Sequence, residues 1–308
     1  MNSFAFFGAL ETGFIFALVA LAVFISFRIL DFPDLTVDGS FPLGAAVAAS
    51  MIVIDFHPLT ATLCACIAGA AAGSVTAWLN VRLKILHLLA SILTMIALYS
   101  INLRIMDGPN KALLGVETLL SPLDNLSFMP YYIAYPLAFG LFALFILAVV
   151  IWFLQSEVGL AMRATGANPR MARANGVNTS RMVILGMAIS NALVALAGAL
   201  FAQSQGSADV TMGVGVIVIG LASVIGGEAL LSTRTLFRWA LACVLGSVLY
   251  RMVIALALNG EMFGLKAQDL NLITAILVTL AIVAPRFKAK TKAKFSSIVS
   301  SKATQAKE

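Results

Sequence analysis

Charge is scarce in this chain. Asp, Glu, Lys and Arg make up 11% of its 308 residues, against about 25% in a typical soluble domain. With 61% hydrophobic residues and a mean hydropathy of +0.99, no soluble domain is expected. Cysteine and histidine are scarce as well. Cys64, Cys66 and Cys243 all fall in apolar runs, and Cys64 and Cys66 are two apart, which puts them on different faces of a helix. They read as small packing residues, not as a disulfide framework or metal site. His57 and His87 belong to no HExxH, and neither a GxSxG elbow nor a GxxxxGK[ST] phosphate loop is present. The usual signatures of metalloproteases, serine hydrolases and nucleotide-binding proteins are therefore missing, and no catalytic activity is expected.

What the chain has instead is apolar runs of near 20 residues, the length needed to cross a bilayer as a helix. The expectation is an all-α polytopic membrane protein with about nine spans, eight to ten being compatible with the pattern. The runs lie at 13–30, 41–55, 59–80, 86–103, 131–154, 182–203, 211–230, 236–257 and 270–285. The second and ninth are short enough to be tilted or re-entrant. Residues 1 to 285 read as one transmembrane domain. Residues 286 to 308 read as a basic, disordered tail near anionic headgroups.

The net charge of +6 is distributed by topology and not as a nucleic-acid patch. With the N-terminus outside, 16 of the 20 Lys and Arg residues fall on the inner side, counting the tail. That asymmetry sets the orientation, with the C-terminus in the cytosol. Ionisable residues within the spans are few. Glu11, Asp55 and Glu228 fall at expected ends, and Arg251 is six residues from one, within reach of snorkelling. Such sparsity disfavours ion-coupled transport, which places charges near the midplane.

Small residues recur at helical spacing: Gly69 and Gly73 with Ala65, Ala68 and Ala72; Ala195, Gly198 and Ala202; and Gly213, Gly215, Gly220, Gly226 and Gly227. They allow helices to approach closely in lipid, with hinges or a pore lining as the functional alternative. Asp31 to Gly39, DFPDLTVDG, places three acids between the first two spans. Asp34 or Thr36 is a candidate cap for the second span and Gly39 a candidate turn. Residues 104 to 130 form the long outer connection, with turn signals around a short amphipathic piece, Ala112 to Leu120.

The most informative segment is 157–181, EVGLAMRATGANPRMARANGVNTSR. It carries four arginines against one acid between two long apolar runs, so it must protrude into water. It reads as a short helix, a Gly/Asn/Pro break and a second short helix. Its pattern, Gly159-x-Ala161-x-Arg163-Ala164-x-Gly166-x-Asn168-x-x-x-Ala172-x-x-x-Gly176, resembles the membrane permeases of ATP-binding-cassette (ABC) importers, within the branched-chain amino acid and ribose permease superfamily. Gly220-Leu-Ala-Ser-Val-Ile-Gly-Gly-Glu228 is similar to the same superfamily. Asp34 to Gly44 and Leu93 to Asn102 resemble the subgroup that accompanies tryptophan/tyrosine-type binding proteins. The resemblance covers about residues 13 to 285.

The resemblance implies that 157–181 is a coupling helix seated in a groove of an ATPase subunit. Gly159, Leu160, Met162, Arg163, Gly166, Asn168, Arg170, Ala172 and Gly176 are then the docking residues. Arg163 and Arg170 would meet acids in the groove, while Leu160, Met162, Ala164 and Met171 would fill it. No cofactor is implied on this chain, since ATP and Mg would sit on the partner ATPase. The implied partners are ABC ATPase subunits, an extracytoplasmic substrate-binding protein and a second permease copy as a homodimer. The implied location is a bacterial cytoplasmic (inner) membrane, and the implied solute a small polar one, an amino acid and an aromatic one among the options. The alternatives are an ion- or proton-coupled secondary transporter or a channel acting without an ATPase, and a non-transporting membrane scaffold.

Overall fold

A computed structural model describes residues 3–124, 130–231, 235–259 and residue 279. Helix α1 covers Ser3–Val23 and continues as π-helical turns over Phe24–Ile29. It is followed by α2 (Val37–Val53), α3 (Pro58–Leu83), α4 (His87–Met106), strand β1 (Asn110–Ala112) and the single turn α5 (Ser121–Asp124). The chain continues through α6 (Tyr131–Gln155), α7 (Glu157–Ala167), α8 (Pro169–Ala174), α9 (Thr179–Gln205), β2 (Ser207–Asp209), α10 (Val216–Leu230) and α11 (Leu236–Asn259). Seven of the described helices are long and apolar enough to cross a membrane, and α2 is a shorter apolar helix of 17 residues. Each of the first eight expected spans coincides with a helix. The ninth, 270–285, and the tail, 286–308, lie outside the described residues.

Local chemistry sets the helix limits. Pro58 opens α3 behind His57, whose Nδ1 accepts from the Leu59 N–H at 3.2 Å. Asn178 caps α9 by accepting from the Arg181 N–H at 3.2 Å, and Gly206 ends it at φ +71°. These are the residue types favoured at the two ends of a helix. The first span begins ten residues earlier than expected. Residues 4–12 are apolar apart from Glu11 and Thr12, and they extend α1, so Glu11 sits inside a span and not at its end.

Helix α1 is apolar on every side and buried through Ile15–Ile25, the pattern of a central helix. It packs on α6, α9, α10 and α11. The second packing centre is α9 against α2 and α3. A Cβ on Gly44 would overlap the Ala195 carbonyl, and one on Gly198 would overlap the Phe41 carbonyl. Gly69 and Gly73 of α3 lie equally close to α9 at Asn191 and Met187. The expected small-residue stripes thus bring backbones together.

The bundle has two distinct ends. One carries α7 and α8, the other the antiparallel pair β1–β2, in which Lys111 faces Ala208. Consecutive long helices alternate between them. Arg28, Arg82, Lys84, Arg163, Arg170, Arg173, Arg181 and Arg238 belong to the first end, and Arg104 and Lys111 to the second. Gly39 does not make the expected turn. It lies inside α2 against Met95 and Leu98 of α4. The 112–120 piece leaves β1 and is tied down by the Leu119 N–H donating to Gln203 Oε1 at 3.0 Å.

The close approach of α2 and α9 makes a direct prediction. Gly198→Val overpacks that contact and is expected to cost at least about 2 kcal/mol. Gly226→Ala, at a helical site with open space around the glycine, is expected to be neutral or slightly stabilising. Thermal unfolding of the two purified variants in detergent checks this, and equal melting temperatures would refute the packing argument.

Candidate functional site

The α7–α8 unit is built as a platform. Ser156 caps α7 by accepting from the Gly159 N–H at 3.3 Å. Asn168 Oδ1 accepts from the N–H groups of Arg170 and Met171, both at 3.1 Å, and Pro169 opens α8. The break expected from Gly/Asn/Pro is therefore an Asn-capped joint, and Gly176 turns the chain out of it at φ +82°.

The platform has two faces. Leu160 and Met171 are 53% and 65% exposed, and Arg163, Ala164 and Arg170 are exposed beside them. Gly159, Met162 and Ala172 face the other way. The groove-filling role expected of Met162 does not fit its position. It is fully buried beside Leu30 and Gly186, because it falls on the apolar stripe with Gly159 and Gly166 that holds α7 to the bundle. A Cβ on Gly166 would overlap the Ile29 carbonyl, so α7 rests directly on the π-helical end of α1. Beside this contact lies a polar cavity of about 480 Å³ between Asp31, Asn80, His87, Gly166, Arg173 and Ser180.

The same end of α1 is clamped from the opposite side. Arg28 Nε donates to Glu228 Oε1 at 2.8 Å, its Nη2 donates to Oε2, and Trp239 Nε1 donates to Oε1 at 2.7 Å. Glu228 thus joins α1, α10 and α11 at the platform end. π-Helical turns of this kind are frequent at functional sites.

Polar groups also lie deep inside the bundle. Asp34 is buried, accepts from the Thr36 N–H at 2.9 Å and from Asn191 Nδ2 at 2.7 Å, and Ser40 donates to Asn191 Oδ1 at 2.7 Å. Thr36 Oγ1 lies 2.8 Å from Thr76 Oγ1. Asp34 is therefore a buried tie between the entry to α2 and the middle of α9. Glu11 accepts from Ser204. Arg251 does not snorkel. Its guanidinium stacks over Phe16, 3.8 Å from the ring centroid, because its helix packs along the buried centre of α1.

A family model described as branched-chain amino acid transport system / permease component matches residues 5–283. The chain belongs to that family. The permease is 38% identical over 265 residues to a tyrosine transport system permease protein of Clostridioides difficile, covering 86% of this chain and 85% of that one. It is 36% identical over 279 residues to the uncharacterized protein RP368 of Rickettsia prowazekii, covering 89% and 95%. To the ribose import permease protein RbsC of Escherichia coli it is 24% identical over 257 residues, covering 81% and 76%. Among solved structures, PsaBC from Streptococcus pneumoniae in complex with Fab is 14% identical, with a TM-score of 0.49 over 90% of this chain and 89% of that one. The permease is thus a multi-pass membrane transport subunit and not itself an enzyme.

Sequence reasoning missed a cavity of about 420 Å³ between α2 and α4. Asp38 and Asn102 line it, with Tyr99 half exposed at its side. Asp38 Oδ1 accepts from the Ile217 N–H at 2.8 Å, and Oδ2 from the Gly215 N–H at 3.2 Å. It caps α10, a helix 177 residues further on. The one signal in the sequence was an acid in the first turn of an apolar helix.

The Asp34 tie generates the second prediction. Asn191→Leu leaves a buried carboxylate held only by Thr36, and breaking such a site costs about 3 kcal/mol or more. Adding Asp34→Asn to Asn191→Leu is expected to restore about half of the loss. Denaturant titration of the three proteins in micelles tests the coupling, and strictly additive losses would refute it.

Proposed function

We propose that this permease is the transmembrane subunit of an ABC importer for an amino acid, with an aromatic amino acid favoured. ATPase subunits dock on α7–α8 from the cytosol, and a substrate-binding protein delivers solute at the β1–β2 end. Two copies form a homodimer around the path, in a bacterial cytoplasmic membrane. The observation that carries this reading is the two-faced platform. Exposed Leu160, Met171, Arg163 and Arg170 stand on an inward face locked by Met162 and Gly166 onto α1. A protein without its own nucleotide site needs a mechanical contact through which hydrolysis acts, and this one is exposed, cationic and rigidly seated.

Charge placement supports the orientation, since the platform end carries most of the described Lys and Arg. The name of the Clostridioides difficile relative supports tyrosine as the first solute to try. ATP binding would close the ATPases and pull α7 with them. The Gly166–Ile29 contact would transmit that movement to α1 and to residues 30–36.

The test uses exposed residues, so that folding is preserved. Arg163→Glu combined with Arg170→Glu is expected to lower ATPase recovery on the tagged permease by at least about tenfold, as expected when two interface arginines are reversed. ATP-dependent tyrosine uptake is expected to fall with it, at an unchanged melting temperature. Undiminished ATPase recovery, or robust uptake in liposomes that hold only this chain, would overturn the importer reading.

A further inference from the structure

We propose that the cavity between α2 and α4 holds the ammonium end of the transported solute, which is an organic amine or amino acid with a large apolar or aromatic body. This rests on the reading of the chain as a transport subunit for amino acids.

The cavity walls select for a donor. The amide of Asn102 is oriented by its Nδ2, which donates to the Gly39 carbonyl at 3.2 Å. Its Oδ1 is then an acceptor, buried and without a hydrogen-bond partner. Asn102 is fully buried, and a buried acceptor left unmatched calls for an occupant that supplies an N–H or O–H. Asp38 adds a carboxylate to the same wall. Its two bonds to the start of α10 occupy one acceptor position on each oxygen, and each oxygen keeps another. Among the described residues, no Lys, Arg or His lines the cavity. Two acceptors, one of them charged, with no cation among them fit an ammonium group, which donates in three directions. Helix capping alone explains Asp38 but leaves the Asn102 acceptor without a purpose.

The rest of the wall sets the body of the solute. Pro42, Met95, Ile96, Val210 and Val214 are apolar, and the ring of Tyr99 offers a face for stacking. Tyr99 and Ser100 are exposed lining residues with hydroxyls, a residue type that can donate to a carboxylate. A volume of about 420 Å³ lies within the range of small-molecule sites, roughly 300–1,000 Å³.

Equilibrium binding of tritiated L-tyrosine to the purified full chain in nanodiscs tests this. Competitors are tyramine, which keeps the ammonium and lacks the carboxylate, and 3-(4-hydroxyphenyl)propionate, which does the reverse. Saturable binding is expected, displaced by tyramine and at least tenfold less well by the deaminated acid. Asn102→Leu is expected to weaken binding at least tenfold. Tyr99→Ser, at a half-exposed site that leaves the core intact, is expected to weaken it several-fold. Absence of saturable binding up to millimolar tyrosine, equal displacement by the deaminated acid, or unaltered binding in both variants would each overturn the site. ATP-dependent uptake of tyrosine by the assembled transporter is read separately. Binding without such uptake keeps the cavity and ends the importer reading, whereas uptake without binding does the opposite.

Discussion

Backbone N–H and C=O groups surrounded by apolar side chains must find partners inside the protein, and much of this structure follows from that requirement. Helix α10 has only 15 residues, a rise of about 22 Å, and its first turn meets the first turn of α2 within the bundle. The Gly215 and Ile217 N–H groups therefore cannot turn to water, and Asp38 accepts from both. At the entry to α2, the Thr36 N–H is met by Asp34. Two acids, Asp34 buried and Asp38 half-buried, thus stand where two helices begin. Each in turn needs company. Asp34 recruits Asn191, and Asn191 recruits Ser40, which requires α2 and α9 to lie close. Glycine at 44 and 198 makes that distance possible.

The same region adjoins the platform. From Gly166 the contacts run to Ile29, through the buried Phe32 and Asp34 to Thr36, and then to Asp38 at the α2–α4 cavity. Only eight residues of chain separate Ile29 from Asp38. Under the proposed importer reading, a displacement of α7 would reach the segment that carries Asp34 and Asp38. Glu228 holds the other side of α1 through Arg28, so the π-helical turns lie between two points of attachment, Gly166 and Glu228.

Much of this was legible in the sequence, and the rest was hidden for definable reasons. Hydropathy located eight helices because a span of 20 apolar residues is its own signal. Asn168 and Pro169 announced the joint between α7 and α8 because capping is local chemistry. Met162 was assigned outward because composition cannot distinguish the face of a short helix that meets its own bundle from the face that meets a partner. Glu11 was placed at an end because a lone acid in an apolar run looks like a boundary. Its partner, Ser204, lies 193 residues away. In the sequence Asp38 stands out only as one of three acids between the first two spans, since the helix it caps starts far along the chain.

The way the buried acids are held bears on where energy enters. A proton-driven carrier needs a carboxylate that exchanges partners as the protein changes state. Asp34 takes its partners from α2 and α9, and separating them would pull Gly44 away from Ala195 and Gly198 from Phe41, the tightest backbone contacts between the two helices. Asp38 is committed to the start of α10. Both hold helix starts in place, and neither can cycle through protonation without loosening those starts. The surface that can accept work from outside is the platform, where exposed leucine, methionine and arginine are backed by a buried methionine and a glycine on bare backbone. Under the importer reading proposed above, scarcity of free buried charge and the presence of that platform are two aspects of one design, in which the membrane bundle would move solute and force would arrive through α7.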